Sequence, residues 1–356
     1  MINITSDLKK AWSYLNTNDY RNRPIVVAEI GNNHGGDVKI AKEMMIKAKE
    51  AGVDAVKFQT FTEQGVWTSD AIDGKLNLKI ATFNTNRRKY IQQVTLSSEE
   101  WYEIAEASAE INIPFISTPF DNESVDLLDK LDTPCFKTAS MDINNLPFLK
   151  YIAKKNKPMI ISTGMSTERE VSKAVKTIQD EGNDQIIILH CTSMYPTPIH
   201  SANLSRIYKL RELYGLPVGF SDHTVGEDAA YLSTAMGCCM IEKHMTLDKE
   251  NPELEHFMCA EPQDLKNLVL SVKNASLALG DNEINYLKGE ESRRGTTRRS
   301  IVTTQCLKTG DIIQESMLTA KRPGIGIPPD QFSKVIGKKI NKNVQMDTTL
   351  FWEDFD

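Results

Sequence analysis

The chain has 356 residues, with 42 lysines and arginines against 48 aspartates and glutamates, a formal charge of −6. That acidic balance argues against a nucleic-acid surface, which rests on a clustered excess of basic side chains. No apolar run approaches the roughly 18 residues a membrane-spanning helix needs, and the opening MINITSDLKKAWSYLN lacks a signal-peptide core.

Apolar residues make up 40% and charged residues 25%, an ordinary balance for a globular protein. The six cysteines are scattered without a C-x-x-C pair, which suits reduced thiols in a cytoplasmic protein. Such a length accommodates a barrel of about 250 residues plus a smaller domain.

Residues 1–24 are polar and weakly patterned, and suit a leading helix or a strap across the bottom of a barrel. The run IVVAEI at Ile25–Ile30 predicts a first strand, followed by GNNHGG and an amphipathic helix over Val38–Ala51. A second strand is expected over Val53–Phe58, ending in Lys57 and Gln59. The polar insertion from about Thr60 to Leu96 has the length of a lid or binding loop. Ser97 or Ser98 then caps a helix with Glu99 and Glu100 in its first turn.

Further strands are expected at Pro114–Ser117, Cys135–Lys137, Pro158–Ile161 and Ile186–Leu189. Helical stretches such as Glu168–Gln179 and Ala202–Tyr214 separate them. The seventh and eighth strands, Pro217–Phe220 and Cys238–Ile241, run into polar residues that end in His223 and His244. Eight strand–helix units point to a (β/α)₈ barrel, with a doubly wound sheet as the alternative.

The strands carry their polar residues at one end. In a parallel barrel that end is the active-site face. The pattern therefore gathers Glu29, Lys57, Gln59, Thr118, Lys137, Ser140, Ser162, His190, Ser221, His223 and His244 around one mouth. Either histidine alone is more often structural, but placed alike after consecutive strands the two suit one divalent metal. Lysines with serine and threonine hydroxyls suit a small phosphorylated or carboxylated substrate, although each hydroxyl alone also suits a helix cap. Glu29 is placed to position water or to transfer a proton. The residues alone thus reach a metal-assisted lyase or condensing enzyme acting on a phosphorylated carboxylate.

Composition changes after about Leu279. Residues 281–299 are polar and basic and read as a linker, and residues 300–356 carry short β-like runs broken by glycine and proline. A domain that small needs a surface to pack on. The barrel domain accordingly spans residues 1–280.

In order along the chain, Ala28-Glu29-Ile30-Gly31-Asn32-Asn33-His34, Val56-Lys57-Phe58-Gln59-Thr60, Ile116-Ser117-Thr118-Pro119-Phe120, Ser162-Thr163-Gly164-Met165, His190-Cys191-Thr192, Phe220-Ser221-Asp222-His223-Thr224 and Glu242-Lys243-His244 resemble the sialic acid synthase family. That grouping includes the legionaminic and pseudaminic acid synthases. Lys321-Arg322-Pro323-Gly324 resembles the family's antifreeze-like (SAF) domain.

The resemblance implies condensation of phosphoenolpyruvate with an amino-sugar aldehyde to give a nine-carbon 2-keto-3-deoxy acid and phosphate. It implies that His223 and His244 bind a divalent metal, manganese or magnesium, with cobalt a further option. By the same carry-over Lys57, Thr118, Lys137, Ser140, Ser162 and Ser221 hold phosphoenolpyruvate, and Glu29 manages water and proton transfers. Gln59 and Tyr195 face the sugar. Arg322 reaches it from the partner subunit of a domain-swapped homodimer.

Three positions depart from the family pattern. The K-x-G-S-x-E motif here ends in Asp142, Ser193 stands where Asn is common, and Glu253-Leu254-Glu255-His256 replaces Pro-Asp-His. Changed carboxylates at Asp142 and Glu255 imply a reshaped sugar pocket, so both N-acetylmannosamine and a 6-deoxy diacetamido hexose stand as acceptors. Two rival readings are an aldolase-type or hydrolytic metal-dependent barrel that does not use phosphoenolpyruvate, and a non-catalytic ligand- or ice-binding protein. The second predicts a barrel mouth without the charges found here.

Overall fold

A computed structural model describes residues 23–73, 75, 87–252, 256–280 and 283–356. Eight parallel strands close into a barrel: β1 (Ile25–Gly31), β2 (Ala55–Thr60), β3 (Phe115–Pro119), β4 (Phe136–Thr138), β5 (Met159–Ser162), β6 (Ile186–Cys191), β7 (Val218–Asp222) and β8 (Met240–His244). The closing ladder joins β1 to β8, with Glu29 opposite His244. Closure excludes the doubly wound alternative. No helix among the described residues is long and apolar enough to cross a membrane.

Each strand is followed by a helix, the eight running from Val38–Ala51 to Pro262–Leu279. Capping fixes several of their starts. Ser97 accepts from the Glu100 backbone N–H while the Glu100 carboxylate accepts from the Ser97 N–H, and Thr167 and Glu170 repeat the arrangement. Gly52 ends the first of these helices at φ 90°, a left-handed position that suits glycine. The helix expected over Ala202–Tyr214 begins later, at Arg206, after a short 3₁₀ turn over Ile199–Ser201.

Strand alternation builds two apolar layers. Outward residues such as Val26, Ala28, Val56, Phe58, Phe220 and Ile241 pack under the helices. Inward residues Ile25, Val27, Ala55, Ile116, Cys135, Ile160, Ile187, Leu189 and Met240 fill the lumen as a separate cluster. The lumen is therefore a packed plug over its lower part, and a ligand has room only above it.

The insertion after β2 contains helices Ser69–Ile72 and Arg87–Val94. The Arg88 guanidinium donates to Asp73 at 2.8 Å and to Glu63 at 3.4 Å, so the two ends of the insertion are tied together. The expected N-terminal strap lies outside the described residues except at its end. There, Arg23 makes paired bonds of 2.7 and 2.5 Å to Asp54.

Contacts divide the chain into units at residues 1–281 and 282–356. In the second, β9 (Ser300–Thr303) pairs antiparallel with β10 (Leu318–Lys321) over a core of Ile301, Leu307, Ile313, Ile327, Val335, Ile340 and Leu350. The stretch that composition presents as a linker contains a helix, Glu291–Thr297. Gly324 N–H donates to the Gly295 carbonyl at 2.7 Å, and a Cβ on Gly324 would come within 2.7 Å of Arg298. Glycine there lets the helix pack onto the Arg322-Pro323-Gly324 turn.

Candidate active site

Above the apolar plug, every strand contributes at least one inward polar residue, the first being Glu29, Lys57, Thr118, Lys137, Ser162, Cys191, Ser221 and Glu242, in order from β1 to β8. All eight line one cavity of about 470 Å³. Each sits two positions beyond an inward residue of the same run, Gly219 before Ser221 and an apolar plug residue before the others, so the pleat alone aims it into the lumen. Two residues further on, His223 just past the end of β7 and His244 at the end of β8 also line the cavity.

The floor is an ion-pair network. Lys57 Nζ lies 2.6 Å from the Glu29 carboxylate, donates to Thr118 Oγ1 at 3.1 Å and is 3.9 Å from Glu242. Lys137 Nζ is likewise 3.9 Å from Glu242 and donates to the Thr138 carbonyl at 3.0 Å. Ser221 Oγ donates to Glu242 at 2.9 Å. Burial opposes the charge on Glu242, but Lys137 and Lys57 outweigh it and draw its pKa down to about 2. Burial also dominates at Glu29, where Lys57 offsets it only partly and the nearby Glu242 charge adds to it, so the pKa is raised. Two carboxyls in one cavity are thus pushed apart in acidity, the usual mark of distinct roles. Burial opposes the ammonium of Lys57, but Glu242 and Glu29 outweigh it and keep it charged.

Gln59 Nε2 donates to the second Glu29 oxygen at 3.0 Å, and Asn32 Nδ2 donates to the Gln59 side-chain Oε1 at 3.1 Å. This chain holds the Glu29 carboxyl in one orientation. On the opposite wall Ser140 Oγ accepts from the Gly164 N–H at 3.0 Å. A Cβ on Gly164 would fall 2.1 Å from Ser193 Oγ and 2.7 Å from Ser140 Oγ. Only glycine lets those hydroxyls close over the floor.

The imidazoles of His223 and His244 lie 5.3 Å apart between ring centroids, with the Tyr195 ring 4.2 Å from the first and 6.2 Å from the second. His223 Nδ1 faces the Thr192 carbonyl at 3.0 Å, which places the hydrogen on Nδ1 and leaves the Nε2 lone pair for a ligand. Burial, helped by His223 and Lys57, holds His244 well below the usual imidazole range, so it is neutral and ready to coordinate. Burial also opposes charge on His223, but Cys191 and the Thr192 carbonyl outweigh it and raise its pKa. In turn, burial pushes the Cys191 thiol up, and His223 brings it down to about 7.

The donor set fits a divalent cation of intermediate softness. No group of three or more histidine, cysteine or acidic side chains with metal-site geometry occurs among the described residues. Two imidazoles alone leave coordination positions for substrate or water, as a catalytic site requires.

The mouth of the cavity differs from its floor. Phe61, Val66, Trp67, Tyr90, Phe120 and Met165 line it. The lysines among the described lining residues, Lys57 and Lys137, lie on the floor.

The cavity thus brings together Glu29, Lys57, Gln59, Thr118, Lys137, Ser140, Ser162, Tyr195, Ser221, His223 and His244. Two expected residues, Asp142 and His190, fall elsewhere. Asp142 is buried in a 3₁₀ turn off the cavity wall, with one carboxylate oxygen unpartnered and its pKa raised by burial to about 6, while Met141 lines the cavity instead. His190 does not reach the mouth: it points outward, stacks on Phe220 at 5.6 Å and contacts the Ala202 carbonyl at 2.7 Å. Glu255 lies outside the described residues. Arg322 is exposed in the second unit. Two of the eight inward polar residues at the strand ends, Cys191 and Glu242, were not among the expected site residues. Extending the two-residue alternation from Leu189 and Met240 finds both.

The NeuB family matches residues 44–284 and the SAF domain matches residues 298–356. The chain is 38% identical over 335 residues to N,N'-diacetyllegionaminic acid synthase of Legionella pneumophila, covering 93% of this chain and 94% of that protein. It is 33% identical over 340 residues to N-acetylneuraminate-9-phosphate synthase of Homo sapiens, covering 93% and 92%. The crystal structure of N-acetylneuraminic acid (sialic acid) synthetase from Leptospira borgpetersenii, in complex with citrate, matches with a TM-score of 0.68 at 30% identity, over 77% of this chain and 90% of that one. By sequence and by architecture, this chain belongs to the NeuB family and carries a SAF domain at its C-terminal end.

Proposed function

We propose that this enzyme condenses phosphoenolpyruvate with the open-chain aldehyde of an N-acetylated amino sugar, giving a nine-carbon 2-keto-3-deoxy acid and inorganic phosphate. The observation that carries this reading is one cavity with two lysines and four hydroxyls at its floor and two imidazoles above them. Lys57 and Lys137 supply charge, and Thr118, Ser140, Ser162 and Ser221 supply short donors, for a ligand bearing both phosphate and carboxylate.

In the reaction, C3 of phosphoenolpyruvate forms a bond to the aldehyde carbon, and positive charge develops at C2. Water adds at C2, and the tetrahedral intermediate expels phosphate by breaking its C–O bond. Glu29, held by Lys57 and Gln59 with its pKa raised, is the group that takes and returns a proton as water adds. Lys57 and Lys137 stay within the floor to hold the departing phosphate. His223 and His244 would hold a divalent cation, manganese or magnesium, which would supply Lewis-acid chemistry to the aldehyde. Gln59 and Tyr195 border the space left for the sugar.

For the acceptor, the apolar mouth supports a sugar whose far end is uncharged and carries methyl groups. A 6-deoxy diacetamido hexose presents such an end, whereas a 6-phosphate would meet aromatic and thioether surface without a described cation. The 38% identity to a diacetyllegionaminic acid synthase supports the same choice over N-acetylmannosamine. The proposal also keeps a cytoplasmic, domain-swapped homodimer, in which Arg322 of one subunit contacts the sugar of the other.

Phosphate release from phosphoenolpyruvate, assayed with manganese over N-acetylmannosamine, its 6-phosphate and 6-deoxy diacetamido hexoses, tests this assignment. Turnover fastest with a diacetamido sugar is expected. A preference for the 6-phosphate would overturn the acceptor assignment, and no release with any of them would overturn the condensation itself.

A further inference from the structure

Behind the two imidazoles lies a buried ion pair that the chemistry above does not use. Lys243 Nζ is 2.8 Å from Asp222 Oδ2, and the two side chains are 3% and 0% exposed. They sit opposite each other as the last paired residues of the β7–β8 ladder. By alternation both point out of the lumen, whereas Ser221 and Glu242 below them and His223 and His244 above them point in.

The pair closes a ring around His223. Asp222 Oδ1 accepts from both the N–H and the Oγ1 of Thr224, at 2.8 Å each, and Lys243 Nζ also donates to the Thr224 carbonyl. One ammonium therefore grips the residues on both sides of His223, while its own backbone continues directly into His244. Beyond this point the β7–β8 ladder no longer ties the two strands.

Stability is a weak reason for such a pair. A buried ion pair can often be replaced by apolar residues of similar volume at little or no cost, because desolvation offsets its attraction. What apolar contacts lack is direction. We propose that Asp222 and Lys243 are positioning residues whose ion pair fixes the separation of the His223 and His244 imidazoles and so sets the site's affinity for a divalent cation. This inference rests on the assignment of His223 and His244 as the metal-binding pair.

The test uses the full-length chain with Asp222→Leu and Lys243→Met together, which removes both charges and leaves neither unpaired. Manganese binding is read from loss of the free-ion electron paramagnetic resonance signal, and phosphoenolpyruvate binding by calorimetry. The expected result is a folded protein with a manganese Kd raised about tenfold or more, the effect typical of groups that orient metal ligands, while phosphoenolpyruvate affinity stays within about twofold. An unchanged manganese Kd in the folded double variant overturns the proposal. If that variant does not fold, Asp222→Asn, which keeps an acceptor for Thr224 but loses the charge, is judged by the same two results. Manganese binding that survives His223→Ala, made in the chain with Asp222 and Lys243 intact, would instead overturn the metal assignment beneath it.

Discussion

The Lys57 ammonium lies 2.6 Å from the Glu29 carboxylate, with both side chains almost wholly buried. Together with Glu242 and Lys137, they leave the cavity floor with two acidic and two basic groups. Such a floor offers little net attraction to a ligand carrying both phosphate and carboxylate unless one carboxyl holds a proton. Burial raises the pKa of Glu29, while the two lysines hold that of Glu242 low, so Glu29 is the carboxyl that takes up a proton more readily.

Glu29→Gln is therefore expected to bind phosphoenolpyruvate at least as tightly as the unaltered enzyme while kcat falls about 100-fold or more. The pH profile supplies a second readout. The base form of Glu29 is lost as pH falls through its raised pKa, so kcat declines on the acid side, and the variant should lose that limb. Calorimetry and steady-state phosphate release check both.

Glu242 is the counter-charge to both lysines, and Glu242→Gln leaves them buried without it. Removing one partner of a buried ion pair typically costs about 3–5 kcal/mol, so a clear drop in Tm is expected at neutral pH. The sign of the pH effect follows from a folded pKa of about 2, well below the ordinary 4.5. A depressed carboxylate contributes stability that is fully present above its unfolded value and lost as pH falls toward its folded one. The gap in Tm between the enzyme and the variant should therefore narrow as pH drops from 4.5 toward 2.

Gly164→Ala places a methyl 2.7 Å from Ser140 Oγ and 2.1 Å from Ser193 Oγ. Both hydroxyls can rotate away, so the fold should survive with little change in Tm. The displaced Ser140 hydroxyl is lost to phosphoenolpyruvate. Because a hydrogen bond to a charged group is worth about 1.5–3 kcal/mol, KM for phosphoenolpyruvate should rise roughly 10- to 100-fold. An equal rise in the sugar KM alone would place Ser140 on the wrong substrate.

Arg322 is exposed on the second unit, away from that unit's apolar core. Arg322→Ala should leave Tm unchanged and raise the apparent sugar KM about tenfold, the loss of one charge-assisted hydrogen bond, with phosphoenolpyruvate binding unaffected. Mixing this variant with a barrel-inactivated one such as Glu29→Gln, followed by subunit exchange, should restore about a quarter of sites if the arginine acts across a dimer. No recovery on exchange would count against the swapped arrangement.

Much of the barrel was legible because buried parallel strands are short apolar runs and each ends in polar residues. The ends themselves were harder. β2 continues through Lys57 and Gln59 to Thr60, and β8 reaches His244, because in this fold the inward polar residues are strand, not loop. The same effect explains His190 and Cys191. A histidine at the end of an apolar run looks functional and a cysteine looks like core, yet parity with Leu189 aims the thiol inward and the imidazole outward. Glu242 was hidden between an apolar run and a more conspicuous histidine.

Other features depended on contacts that no local pattern records. Asp142 follows Ser140 closely in sequence, but the intervening 3₁₀ turn buries it and presents Met141 to the cavity. Residues 291–297 look like linker because they are polar and basic. They are held as helix by Gly324 against Gly295, and the nearby Arg294 guanidinium lies 4.1 Å over the Tyr286 ring.

The central claim is that carbon–carbon bond formation releases phosphate from phosphoenolpyruvate by cleavage of its C–O bond. Running the reaction in ¹⁸O-labelled water with a diacetamido hexose and manganese, and weighing the released phosphate by mass spectrometry, tests it directly. The account predicts acceptor-dependent release of unlabelled phosphate, with one nine-carbon acid formed for each phosphate. Labelled phosphate, or release that does not depend on the acceptor, would contradict it.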